Sequence, residues 1–247
     1  RAKNPIRVNG DCLIYDETEK GHEYLMMVDV AKGRGQDYST FTIIDISTVP
    51  FKQVAVYRNN RISPILFPDI IAKFATAYNN AYVIIEANDQ GSLVCQGLYQ
   101  DIEYENMHVE SATKSSGLGI EMNRKIKRIG CSGFKDILES HKLDIVDEQT
   151  IIEISTFEAR GNSFEASNGN HDDLVMNLVL FGYFASSAYF GDMTDINLKD
   201  MLFKQRMEDI EADVLPFGFI DDGVADAPPT ADPAKFGWAI SDTWDMK

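Results

Sequence analysis

The sequence predicts an α/β domain, with an antiparallel three-strand meander joined to parallel strands and flanked by helices. Three observations predict it. Residues 23–31, 40–47 and 51–58 are apolar or alternating runs separated by short turns, and strands so connected pair as antiparallel neighbours. After Pro64 the period changes, and Ile65, Pro68, Ile70, Ile71, Phe74, Ala75 and Tyr78 fall on one helical stripe. Then Ala81-Tyr82-Val83-Ile84-Ile85 forms a nearly solid apolar run ending in Glu86, the mark of a parallel strand buried on both faces. With 247 residues, 44% of them hydrophobic and 11% aromatic, the chain can bury the core of one large domain, or of a domain with an appendage.

The elements follow in order. Residues 1–20 are a polar lead-in with a turn at Asn9-Gly10 and a short edge strand over 11–16. Asn88-Asp89-Gln90-Gly91 turns into a second helix with Leu93, Val94, Gly97 and Leu98 in its stripe, and 107–110 is a short fifth strand. Residues 113–120 are loop, and 134–141 are helix. Residues 143–146 and 151–157 are strand candidates. A glycine-bearing turn at 167–170 leads to a long helix from about Asp172 to about Tyr189, apolar nearly all round and therefore buried. The expected organisation is a lead-in at 1–20, the main α/β domain at 21–192, a C-terminal helix and packing segment at 193–220 (the helix over 198–210), and an acidic tail at 221–247.

Composition narrows the class. No run approaches the roughly 20 apolar residues of a membrane span, no signal-peptide pattern is visible, and no membrane partner is expected. Three cysteines, Cys12, Cys95 and Cys131, lack metal spacing and suit a reducing compartment. The chain opens on Arg1, as a fragment or processed product would. The net charge of −16 argues at first against nucleic acid, but it is uneven. From Glu208 onward ten acids face two bases, half of the excess, while Arg124-Lys125-Ile126-Lys127-Arg128 is a basic cluster.

Three acids occupy comparable places. Asp29 is the one charge in Tyr24-Leu25-Met26-Met27-Val28-Asp29-Val30-Ala31, Glu86 ends the strand after the first helix, and Asp172 or Asp173 opens the buried helix. If the first and fourth strands are neighbours, Asp29 and Glu86 lie side by side. Carboxylates converging without Lys or Arg partners repel one another, and hard divalent cations relieve that repulsion, magnesium or manganese rather than zinc. Each feature also has an ordinary reading: a solvated acid at a strand end, an N-cap at His171-Asp172-Asp173, turn chemistry at Asp37, a solvated face for the basic cluster.

Taken together, the ordered motifs resemble those of the RNase H-like (retroviral integrase) superfamily, and more closely the C-terminal nuclease domain of the large terminase subunit of tailed bacteriophages. The resemblance rests on Met27-Val28-Asp29-Val30-Ala31-Lys32-Gly33-Arg34-Gly35-Gln36-Asp37-Tyr38-Ser39, on Val83-Ile84-Ile85-Glu86-Ala87-Asn88, and on Gly169-Asn170-His171-Asp172-Asp173-Leu174-Val175-Met176-Asn177. It implies an RNase H-like mixed sheet and a two-metal endonuclease. That enzyme would cut concatemeric double-stranded viral DNA during genome packaging, with little sequence preference. Asp29, Glu86 and Asp172 would be catalytic, with Asp173 as a further or alternative ligand and Asp37 as an auxiliary acid. The cofactor would be Mg2+ or Mn2+, as two ions. Lys32, Arg34, Arg124, Lys125, Lys127 and Arg128 are candidates for phosphate contact. An ATPase domain outside this fragment, the portal and the small terminase subunit are the implied partners, in the host cytoplasm at the capsid. No G-x-x-x-x-G-K-[ST] pattern occurs, so ATP hydrolysis is not expected of this chain. A junction resolvase or exonuclease on the same architecture, a non-catalytic module docking on the portal, and an actin-like phosphotransferase are the rivals.

Overall fold

Tyr24–Asp29 (β3), Ser39–Asp45 (β4) and Phe51–Asn59 (β5) are strands because nearly every side chain in them is buried and many are β-branched or aromatic. They pair as the expected antiparallel meander, Val28 opposite Phe41 and Phe41 opposite Tyr57. The computed structural model describes residues 1–110, 117–160, 163–167 and 169–194, all within one unit, Arg1–Lys204. The expected helix over 198–210 and the acidic tail over 221–247 lie outside the described residues.

The sheet is extended on both sides of the meander. Arg7–Asn9 (β1) and Cys12–Ile14 (β2) come from the polar lead-in, and β2 pairs antiparallel with β5, so part of that lead-in belongs to the sheet. On the other side Tyr82–Ile85 (β6) pairs parallel with β3, giving the order β1-β2-β5-β4-β3-β6. Leu143–Asp144 (β7) adds two residues parallel to the start of β5. The expected strand over 107–110 is reduced to bridges, Met107 to Val83 and Val109 to the 118–119 segment, while Ile120 bridges Glu86.

Each face of the sheet carries its own core. Met26, Val28, Phe41 and Ile43 pack under Phe67–Ala77 (α1) and Gly91–Gln96 (α2), the latter continuing into a π-helical turn at Gly97–Asp101. Leu25, Met27 and Ile44 face Asp173–Ala185 (α5), in which all but two of the thirteen residues are buried. The buried helix is shorter than expected: it stops at Ala185, and a second helix, Ala188–Thr194 (α6), leaves at 85°. No single helix among the described residues is long and apolar enough to cross a membrane.

Two segments differ from their sequence reading. The helix expected at 134–141 begins ten residues earlier, at Arg124 (Arg124–Glu139, α3), where Asn123 accepts from the N–H groups of Lys125 and Ile126. Its apolar stripe is interrupted by Gly130 and Gly133, which hides it in the sequence. Those glycines exist for packing: a Cβ on Gly130 would meet Val179 O, and one on Gly182 would lie 2.9 Å from Phe134 Cα. α3 and α5 therefore cross backbone to backbone. The expected strand at 151–157 is a helix, Glu148–Thr156 (α4), capped by Asp147, whose carboxylate accepts from Thr150 N at 2.7 Å. Thr150 and Glu153, one turn apart, are its buried face. A hairpin, Phe157–Arg160 (β8) with Ser163–Ala166 (β9), follows.

Candidate metal centre

The parallel register of β3 and β6 makes the central juxtaposition. Leu25 pairs with Tyr82 and Val28 with Ile85, and Glu86 N donates to Val28 O at 2.9 Å. The next residue on each strand is an acid, so Asp29 and Glu86 emerge side by side at the carboxyl ends of the two strands, where α/β sheets place their sites. Gly91 allows the chain to turn back closely here, since any Cβ on it would collide with Glu86 O. Asn88 ties the adjoining segments together, donating to Met122 O at 2.8 Å and accepting from Met122 N at 2.7 Å.

α5 supplies the third element. Asp172 is its N-cap residue, with no side-chain capping bond, and Asp173 is its first helical residue, 8% exposed. Thr40, opposite Asp29 in β4, donates to Asp173 O at 3.2 Å and accepts from Asn177 at 2.9 Å, which docks the first turn of α5 on the sheet. Asp173 Oδ2 has no hydrogen-bond partner among the described residues; His171 Nδ1, at 3.6 Å, is beyond hydrogen-bond reach.

The carboxylates perturb one another. Burial, then Glu86, Asp173 and Asp172, hold the Asp29 carboxyl well above the usual range against the opposing Val30 N–H. Glu86 is raised by burial, with Asp172 and Asp89 adding to it and Lys127 opposing. Asp173 is pushed up to about 7 by burial, against the Tyr38 N–H, with Glu153, Asp172 and Asp37 adding to it. Asp29 thus feels Asp173 more than Asp172, whereas Glu86 feels Asp172.

The remaining expected site residues are spread around this rim. Asp37 is exposed but near enough to act on Asp173. Its loop turns at Gly33 and Gly35, both with positive φ, and Gly35 N donates to Asn60 O at 2.9 Å. Lys32 pairs with Asp89 at 3.9 Å across the rim, and Arg34 is exposed. Arg124, Lys125 and Arg128 are exposed on the first turns of α3. Lys127 differs, being half-buried, with its Nζ 5.9 Å over the Phe157 ring and its charge opposing the rise at Glu86. Four cations in the opening turns of a helix oppose its dipole. A local rule broken in this way marks a surface shaped by something other than stability.

The sequence reading missed three residues around Asp173. Glu153 is buried, accepts from Leu174 N at 2.8 Å, and lies 3.7 Å from Arg58. Arg58 sits 3.4 Å over the Tyr38 ring. Glu153 was hidden by the strand reading of its segment. A helical period would have placed it on the buried face with Thr150, an acid among apolar neighbours.

The donor set suits a hard divalent cation: oxygens only, raised proton affinities, and an unpartnered buried carboxylate oxygen. As the side chains stand, no group of three or more His, Cys, Asp or Glu among the described residues converges on one ion-sized point, consistent with carboxylates that repel one another.

The comparisons with known proteins agree with this architecture. The family described as the terminase RNaseH-like domain matches residues 26–194. The large terminase subunits of Thermus virus P23-45 and Thermus phage G20c are each 26% identical over 197 residues, covering 76% of this chain and 36% of theirs. The chain therefore spans about a third of the length of these relatives. Among solved structures, the large terminase nuclease of thermophilic phage G20c with bound cobalt superposes with a TM-score of 0.59 at 20% identity, over 74% of this chain and 91% of that one. The Thermus phage P74-26 large terminase nuclease domain superposes with a TM-score of 0.58 at 21% identity, over 72% and 88%. With its meander, the parallel strand β6, an acid-started buried helix and a family match over residues 26–194, this chain belongs to the terminase RNase H-like domain family.

Proposed function

We propose that this chain is the nuclease part of a viral DNA-packaging motor, a metal-dependent endonuclease that cuts concatemeric double-stranded DNA with little sequence preference. The observation that carries the reading is the β3/β6 register, which sets Asp29 beside Glu86 at the rim where α5 begins with the buried Asp173, whose Oδ2 has no hydrogen-bond partner among the described residues. Solved relatives support the cofactor class: the phage G20c nuclease is known with bound cobalt, magnesium and zinc.

Asp29, Glu86, Asp172 and Asp173 would hold Mg2+ or Mn2+, as two ions. When bound, such ions supply Lewis acidity, activating a water and neutralising charge on the departing oxygen of the phosphodiester. This chain's residues do the rest. Asp29 would be the central ligand, with Glu86 beside it on the neighbouring strand and Asp172 and Asp173 supplied by the start of α5. Asp37 adds negative charge to the rim. Lys127, beside Glu86, places a positive charge where a backbone phosphate would approach. Arg124, Lys125, Arg128, Lys32 and Arg34 position the duplex through sequence-independent contacts. The partners on this reading are double-stranded DNA, an ATPase domain of the same large subunit, the portal and the small subunit, in the host cytoplasm at the capsid.

The test is plasmid cleavage with Mg2+, with Mn2+ and with chelator, wild type beside Asp29→Asn. Metal-dependent linearisation that vanishes in the variant is expected. Cleavage by Asp29→Asn equal to wild type would reject the centre, and cleavage confined to four-way junctions would move the reading to a resolvase.

A further inference from the structure

Arg58 and Glu153 stand outside the candidate ligand set, yet both connect to it. Glu153, 1% exposed in α4, accepts from Leu174 N, the second residue of α5. Its other oxygen lies 3.7 Å from Arg58 Nη2 and 3.5 Å from Gln149 Nε2. The Arg58 guanidinium covers the Tyr38 ring at 3.4 Å, and the His171 ring stands perpendicular to it, 5.1 Å between centroids. The Tyr38 main-chain N–H in turn acts on the Asp173 carboxylate. Arg58 Nε is buried with no hydrogen-bond partner among the described residues, so no hydrogen bond from that atom accounts for the placement of this guanidinium. Its stack on Tyr38 and its charge opposite Glu153 do.

We propose that Arg58, clamped between Tyr38 and Glu153, is the positioning residue that holds the β3–β4 loop against the first turn of α5 and so aims the Asp173 carboxylate at Asp29. It touches neither metal nor DNA. Two separate segments converge on Asp173, the loop end through Tyr38 and the helix start through Leu174, and Arg58 contacts the anchor of each. The planar guanidinium suits this task, since it can stack and pair at once. Residues behind metal ligands typically change metal affinity by about 10–100-fold when removed.

This inference rests on the metal-centre reading above, and the experiment separates the two. Mn2+ is titrated calorimetrically into the chain without DNA, for wild type, Asp29→Asn, Arg58→Ala and Glu153→Gln. Phe74→Leu, a core substitution on the opposite face of the sheet, serves as a control for lost stability. Arg58→Ala is expected to weaken Mn2+ binding about tenfold, Glu153→Gln to weaken it in the same direction, and Phe74→Leu to leave it unchanged. Binding by Arg58→Ala equal to wild type, with Asp29→Asn silent, overturns the positioning role alone. No Mn2+ binding by wild type overturns the centre and this role together. If Arg58→Ala does not fold, Tyr38→Leu removes the ring beneath the guanidinium and keeps the main-chain N–H. A folded Tyr38→Leu with wild-type Mn2+ affinity overturns the proposal, and a loss of affinity supports it.

Discussion

Asp173→Asn should make the metal-free protein more stable at pH 8, and the size of the gain follows from the site. Asp173 is 8% exposed, and its carboxyl is raised from 3.8 to about 7. The folded chain therefore holds this proton more tightly than the unfolded chain. Below the unfolded value both states are protonated and the group contributes nothing. As pH rises from about 4 to about 7 the unfolded state ionises first, and stability falls. At 1.36 kcal/mol per pH unit the loss by pH 8 is about 2–4 kcal/mol, the lower figure allowing for relaxation of the carboxylate toward solvent. Asparagine keeps the shape and an acceptor for the Tyr38 N–H but carries no charge. The assay is urea unfolding with chelator at pH 5 and pH 8, wild type against variant, so that titration of the other acids largely cancels. The variant should gain about 2–4 kcal/mol at pH 8 and much less at pH 5. With saturating Mn2+ the order should reverse, because a cation bound to the native state stabilises wild type more. Equal stability of the two proteins at pH 8 without metal would refute the crowding of charge at this rim.

Further outcomes follow from other residues. Gly182→Ala pushes a methyl into the backbone of α3. It should destabilise by about 1–3 kcal/mol even after the gain in helix propensity, lowering the melting temperature by several degrees. Gly191→Ala, in α6 with nothing within 4 Å of its would-be Cβ, should be neutral or stabilising by up to about 1 kcal/mol, so equal melting temperatures for these two variants would refute the close crossing. Arg124→Ala and Lys125→Ala should each flatten the slope of log affinity for duplex DNA against log salt by about 1. An unchanged slope would remove the exposed edge of α3 from the DNA surface. Lys127→Ala removes the cation that opposes protonation of Glu86, so the acid limb of the cleavage profile should move to higher pH, and an unmoved limb would detach Lys127 from the centre.

The sequence by itself determined the meander, α1 and the solid β6 strand, and it singled out Asp29, Glu86 and the tandem aspartates as acids at the ends of elements. These are written in short-range periodicity and in motifs that keep their meaning wherever they pack. Even the adjacency of Asp29 and Glu86 was readable once the two strands were taken as parallel neighbours. Tertiary structure alone decided the rest. α4 is nine residues of mixed β-branched and polar character, too short to be stable alone, and it becomes helical because Asp147 caps it and Thr150 and Glu153 find buried partners. α3 hides its first ten residues behind cations and glycines whose reason is α5, far along the chain. Asp172 and Asp173 are adjacent in sequence, but Asp172 is the non-helical N-cap and Asp173 the first residue of α5. Only the docking of α5 through Thr40, the β4 partner of Asp29, and through Asn177 buries Asp173 at this end of the sheet. No local pattern could bring Arg58, Tyr38 and Glu153 together, because burial of a charge is settled by whichever distant segments supply its partners.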